Sequence, residues 1–153
     1  MMTPSPRGFT LLIAVILTSV LVSIGLALID VALKQLQLSS TVRNSQVAFY
    51  NADTALECGL YHDQRFNAFS LAIATTSIKC HDTTPINVTV SNPSANVRQS
   101  VFDVPCTTGT SAQVTVLKDT SGATIIYANG YSSCDTADTR RVERGLKVTY
   151  DGI

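Results

Sequence analysis

The sequence predicts an α+β fold: one long N-terminal α-helix, with a transmembrane half and an amphipathic half, packed on a small antiparallel β-sheet domain. Three observations predict it. Residues 9–29 carry no charge, residues 31–66 hold no proline and a single glycine, and the second half of this 153-residue chain changes to a period of two.

Residues 1–8 include Arg7 and end in Gly8, and the apolar run that follows stops at Asp30. At about 1.5 Å per residue, a helix over 9–29 spans roughly the 30 Å of a bilayer's hydrocarbon core, with each backbone amide bonded inside the segment. A secretory signal peptide also pairs a basic start with an apolar run, but its run is usually about 7 to 15 residues and ends at a small-residue cleavage box. Here Ala27 is followed by Leu28, Ile29 and Asp30, and helix-favouring sequence continues beyond. The segment reads as a membrane anchor.

The string Arg7-Gly8-Phe9-Thr10-Leu11-Leu12 and the apolar run behind it resemble the class III leader of type IV pilin-like proteins, the family of pilins and type II secretion pseudopilins. The resemblance implies cleavage by a prepilin peptidase between Gly8 and Phe9 and N-methylation of Phe9. Most members of that family carry a glutamate at the position that Ile13 occupies here. In the family that carboxylate pairs with the N-terminal ammonium of a neighbouring subunit, since an unpaired charge in an apolar filament core is costly. Ile13 removes both the cost and the register contact. By resemblance it favours a minor or tip subunit, beside the plainer reading that an apolar residue is tolerated there.

Beyond Asp30 the chain is rich in Leu, Ala, Gln and Glu, all good helix formers. Val42, Phe49, Ala52, Leu56 and Leu60 share one helical face, and Val47, Tyr50, Thr54, Cys58 and Tyr61 lie roughly opposite. A helix apolar on two sides has two things to cover. The expectation is that the cysteine-bearing face meets its own domain and the other meets neighbouring subunits. Continuous over 9–66, the helix would measure roughly 85 Å, more than this small domain can cover. The string from Ala48 to Glu57 (AFYNADTALE) is similar to a stretch in assembly-initiating minor pilins and the tip pseudopilin. The two resemblances together cover about the first 60 residues.

Strands are expected at 86–90, 101–104 and 113–117 from their alternation. Thr120-Ser121-Gly122 is a turn signal before the apolar run 123–128, which predicts a hairpin. The closing stretch 142–150 alternates again, with Gly145 as a candidate bulge. The expected organisation is therefore 1–8 leader, 9–29 transmembrane and assembly helix, 30–66 amphipathic continuation, and 67–153 an extracytoplasmic β-rich domain.

Cys58, Cys80, Cys106 and Cys134 are even in number, widely spaced and beyond the apolar run, as disulfides of an oxidising compartment would be. Four cysteines allow three pairings. Cys58 with Cys80 and Cys106 with Cys134 are favoured because each closes a loop of tens of residues, worth about 3 to 4 kcal/mol in the loop-entropy model. Four buried free thiols are the competing reading.

Charge excludes more than it proposes. Eleven basic residues balance eleven acidic ones, and charged residues make up only 14% of the chain, so nothing draws polyanions strongly. Arg140, Arg141, Arg144 and Lys147 form a basic cluster in sequence but lack interleaved aromatics, and DNA is an unfavoured partner. His62-Asp63 and His81-Asp82 look like metal or acid-base pairs, yet neither has a third ligand at metal spacing, and solvated polar residues are the expectation. Asp135 and Asp138 are weak calcium candidates in a loop. With no nucleophile-base set, phosphate-cradling loop or zinc signature, neither an enzyme nor a cofactor is expected. The expected function is a minor pilin or pseudopilin incorporated into, or capping, a filament, with other such subunits, the prepilin peptidase and the membrane as partners. Its expected place is the cytoplasmic membrane in a single pass, C-terminal domain outside. The alternatives are a permanently anchored binding domain and a DNA-uptake pseudopilin.

Overall fold

The computed structural model describes residues 7–72, 75–80 and 84–151. Helix α1 (Arg7–Phe66) is followed by strands β1 (Ser77–Ile78), β2 (Ile86–Ser94), β3 (Val97–Cys106), β4 (Gly109–Asp119), β5 (Ala123–Tyr131) and β6 (Glu143–Asp151). The strands form one antiparallel six-stranded sheet in sequence order, a simple meander. The protein is α+β. The chain divides into two compact units within the helix, one ending at Ser40 and the other beginning at Thr41.

In the first unit the helix buries nothing. Its large apolar side chains are exposed from Phe9, at 70%, to Leu38, at 66%. The segment is long and apolar enough to cross a membrane, with a mean hydropathy of 2.8 over its most apolar window. The hydroxyls within it are satisfied locally. Thr18 donates to the carbonyls of Ala14 and Val15 at 3.0 Å, Ser19 to Ile16 at 2.8 Å and Ser23 to Ser19 at 2.8 Å. These hydroxyls therefore do not need water, which is the condition for sitting in lipid.

In the second unit the helix packs on the sheet through its smallest side chains. Ala48, Ala52 and Ala55 are at most 1% exposed, Gly59 is buried beside them, and Leu56 lies at the margin. Spacings of four, three and four residues keep the three alanines and the glycine on one stripe. The sheet comes so close there that a Cβ on Gly130 of β5 would collide with the Ala48 carbonyl and the Ala52 amide. This corrects the expected faces. The cysteine-bearing face, expected to meet the domain, exposes Val47, Tyr50, Thr54 and Tyr61, while of the other stripe Ala52 and Leu56 are buried, Leu60 is half-buried, and Val42 and Phe49 are exposed. Large apolar residues dominate a hydropathy pattern, whereas close backbone packing selects small ones.

The sheet's inward face alternates as strands should. Phe102, Val114, Ala128 and Leu146 form one cross-strand row and Ser100, Val116, Ile126 and Val148 the next. The Phe69 ring, from the segment after the helix, stacks over Phe102 at 6.0 Å. Phe69, Phe102, Val114, Val116 and Ile126 are all at most 2% exposed, and full burial of such side chains is worth about 1.5–3 kcal/mol each. Asn67 ends the helix with a φ of 50°, a left-handed conformation that asparagine tolerates better than most residues.

The β4–β5 hairpin forms at the predicted turn. Gly122 has a φ of 92°, and the Asp119 carboxylate accepts the Ser121 hydroxyl at 2.6 Å and the amides of Ser121 and Ala123 at 2.9 and 3.0 Å. The Ser121 hydroxyl, and then those amides, hold the Asp119 carboxyl below its ordinary range. Gly145 is not a bulge. It pairs in register with Asn129, and a Cβ there would lie 3.1 Å from the Asn129 side-chain oxygen, so the glycine makes room for a neighbour. Register shifts occur instead at Val104/Pro105 and at Ser91/Ser94, in stretches where Pro105 and Pro93 have no amide to give the ladder.

The two interface glycines should respond oppositely. Gly130→Ala forces backbone against backbone and is expected to destabilise the detergent-solubilised protein by about 1–3 kcal/mol in urea unfolding. Gly59→Ala meets only ordinary contact, 3.4 Å from Val114, and should stabilise by up to about 1 kcal/mol through helix propensity.

Candidate functional site

The described chain offers two kinds of candidate: a bare apolar helix surface, and polar clusters that hold the outer domain together. On the helix, Gly8 lies inside α1, Phe9 is exposed, and Ile13 is 40% exposed. Residues 1–6 of the predicted leader lie outside the described residues. In the second unit Val42, Val47, Phe49, Tyr50, Tyr61 and Phe66 remain exposed while the alanine stripe faces the sheet. Phe49 and Tyr50 meet edge to face at 6.1 Å, and Tyr61 and Phe66 do so at 5.5 Å. These exposed apolar side chains are spread over the sides of the helix that the sheet leaves uncovered.

The outer domain is fastened to its helix by bonds that sequence reasoning missed. Asn51 donates its amide to the Tyr131 carbonyl at 2.7 Å, and Arg144 donates to the Ser45 hydroxyl at 2.7 Å. Asp63 is buried, at 5% exposure, against the expectation of a solvated residue. Lys118 reaches its two oxygens at 2.8 and 3.1 Å, and the Tyr150 hydroxyl donates to it at 2.6 Å. The register explains the cluster, since Arg98, Lys118, Thr124 and Tyr150 form one cross-strand row on the helix side of the sheet. A buried carboxylate survives only when paired in this way. Burial first, and the Asp63 carboxylate second, push the Tyr150 hydroxyl pKa far above its usual value.

The candidates for metal or catalytic work disperse. His62 turns away from Asp63, its Nδ1 lying 2.9 Å from the Cys58 carbonyl. His81-Asp82 lies outside the described residues. Asp135 and Asp138 accept the amides of Ala137 and Arg140 at 2.8 and 2.9 Å, capping turns of the loop. Among the described residues no three His, Cys, Asp or Glu side chains gather where a metal ion could be held.

The basic cluster separates as well. Arg141 donates to the Ser133 carbonyl at 3.1 Å and lies 3.7 Å over the Tyr131 ring, while Lys147 lies 5.2 Å from the Tyr127 ring. Arg144 points toward the helix and Lys147 toward the opposite face of the sheet, because β6 alternates. They do not present one cationic patch.

Both disulfides are formed: Cys58 with Cys80, Cα atoms 5.4 Å apart, and Cys106 with Cys134, 6.1 Å apart. The first joins the helix to the segment just after β1, the second the end of β3 to the loop after β5. Beside Cys58–Cys80 lies an open groove of about 510 Å³, lined by Glu57, Tyr61, His62, Lys79 and Pro105 among others. No family model matches this chain, and neither a curated protein nor a solved structure is found similar to it.

Two outcomes test the Asp63 cluster. Lys118→Met strands a buried carboxylate and is expected to cost about 3–5 kcal/mol in urea unfolding, and Tyr150→Phe about 1–3 kcal/mol. Because the Tyr150 pKa is raised in the folded state, its contribution is intact below the unfolded value of about 10 and is lost as pH rises beyond it. The unfolding midpoint should therefore fall at alkaline pH, and Tyr150→Phe should flatten that decline.

Proposed function

We propose that this chain is a minor or capping subunit of a type IV pilin-like filament, without enzymatic activity of its own. In this reading a prepilin peptidase cuts between Gly8 and Phe9, Phe9 is N-methylated, and 9–29 holds the subunit in the cytoplasmic membrane before packing among equivalent helices. The disulfide-bearing domain lies outside the membrane, in an oxidising compartment.

The observation that carries the reading is the division of labour along one helix. Over residues 9–29 the first unit carries no charged side chain, with its Thr18, Ser19 and Ser23 hydroxyls satisfied within the helix. The second is covered by its own sheet on one stripe only, leaving Phe49 and Tyr50 bare. A helix built this way serves lipid first and a protein polymer second, because both solvents accept apolar surface and neither supplies hydrogen bonds. The leader string ending in Gly8-Phe9 supports the same reading from the sequence side. Ile13, where the family's glutamate would stand, fits a subunit that does not set the register of the next one. The dispersal of Arg141, Arg144 and Lys147 weighs against a DNA-uptake role.

Intact-mass analysis of the protein extracted from membranes is the direct test. A chain beginning at Phe9 with one added methyl group is expected, and Gly8→Val should leave the leader in place. Retention of Met1 in the wild type, or a cut near Leu33, overturns the reading. A deletion strain scored for filaments, secretion and transformation then identifies the machine that the subunit serves.

A further inference from the structure

The two disulfides differ in their surroundings. Cys106–Cys134 sits where β3 turns into β4, and Gly109 of that turn packs directly against the Cys134 backbone, so closely that a Cβ would collide with the Cys134 carbonyl. All four cysteines are half-buried, and what sets Cys58–Cys80 apart is the open groove that it lines. His62 stands one helical turn from Cys58, with Nδ1 2.9 Å from the Cys58 carbonyl and 3.7 Å from the Cys58 sulfur. A carbonyl only accepts, so Nδ1 carries the hydrogen and presents an N–H to both atoms. Lys79, next to Cys80, is exposed and lines the same groove.

We infer that Cys58–Cys80 is a thiol–disulfide exchange site that accepts a dithiol, with Cys58 as the leaving sulfur. One thiolate of the dithiol attacks the Cys80 sulfur and forms a new S–S bond. The Cys58–Cys80 bond breaks, and Cys58 departs with the electron pair as a thiolate held by the His62 N–H. The second thiol of the reagent loses its proton to water and displaces Cys80 from the mixed disulfide, leaving a cyclic disulfide on the reagent. Two electrons pass to the bridge, and the two cysteine thiolates take up protons from water. A hydrogen-bond donor on a sulfur favours its thiolate, and a more acidic leaving thiol leaves faster, so the His62 N–H makes Cys58 the leaving sulfur.

The site has a structural consequence. With the bridge open, the contacts of β1 among the described residues are two paired residues, the Val88 amide on the Thr76 carbonyl at 2.9 Å, and burial of Ile78. Closing the bridge is then the step that fastens this segment to the helix. This inference is independent of the filament reading, since it concerns the outer domain alone.

The test uses the full chain in detergent, exposed to graded dithiothreitol, quenched with iodoacetamide and mapped by peptide mass. Cys58 and Cys80 should become alkylated at least about threefold faster than Cys106 and Cys134, the factor expected from one unit of leaving-thiol acidity. A single-thiol reagent, glutathione, should be trapped on Cys80 rather than Cys58. Opening of both bridges together, earlier opening of Cys106–Cys134, or an adduct on Cys58 would overturn the proposal. His62→Ala should slow the first bridge about threefold without changing the second, and an unchanged first rate also counts against it. If His62→Ala loosens the fold, both bridges open faster, and the adduct position on the wild-type protein then decides.

Discussion

A sheet can approach a helix backbone only where neither side places bulk between them. The stripe of Ala48, Ala52, Ala55 and Gly59 meets β5 at Gly130, and the rest of the outer domain is arranged around that contact. It sets the helix against the centre of the sheet, so that Phe102, Val114 and Ile126 close over Gly59. It also decides what stays outside, because a helix that turns its small residues inward has its large ones left over. Phe49, Tyr50 and Tyr61 are exposed for that reason, not because the core lacks room for apolar surface.

Polar groups reinforce this contact at both ends of the packed segment. Near its start, Arg144 reaches Ser45, and Asn51 reaches the Tyr131 carbonyl. Near its end, Asp63 is held by Lys118 and Tyr150. These bonds contribute less than burial to stability, but they are directional, and the buried carboxylate in particular rejects any register that removes its partners. The Cys58–Cys80 bridge adds a covalent tie between the same helix and the segment just after β1. The domain is thus held to its segment of helix by packing, polar bonds and a disulfide together.

The first unit follows a different rule. Its apolar run, residues 9–29, carries no charge, and the Thr18, Ser19 and Ser23 hydroxyls within that run are turned back on the helix. An apolar rod of this kind is stable only in a medium that is itself apolar. The two units therefore use one helix differently: one exposes an apolar run long enough to cross a membrane, and the other covers a stripe with its own sheet.

How far these features were legible varies with their physical origin. The apolar run, the turn at Thr120-Ser121-Gly122 and the alternation that marks β2, β3 and β4 are local, since each depends on residues within a few positions. The α+β class and the membrane-length helix followed from them. The meander order, the burial of Asp63 and the choice of the alanine stripe as the packed face depend on partners tens of residues away: Lys118 is 55 positions from Asp63. Gly145 shows the same limit, read as a bulge from its neighbours but present because Asn129 needs the space. Periodicity and apolar runs by themselves determined the helix and strands β2 to β6, because hydrogen bonding and solvent exposure repeat along the chain, whereas the two-residue β1 is too short to carry such a signal. Which face of the helix is covered was decided only in the tertiary structure, because close packing depends on the shape of the opposing surface as well as on hydrophobicity.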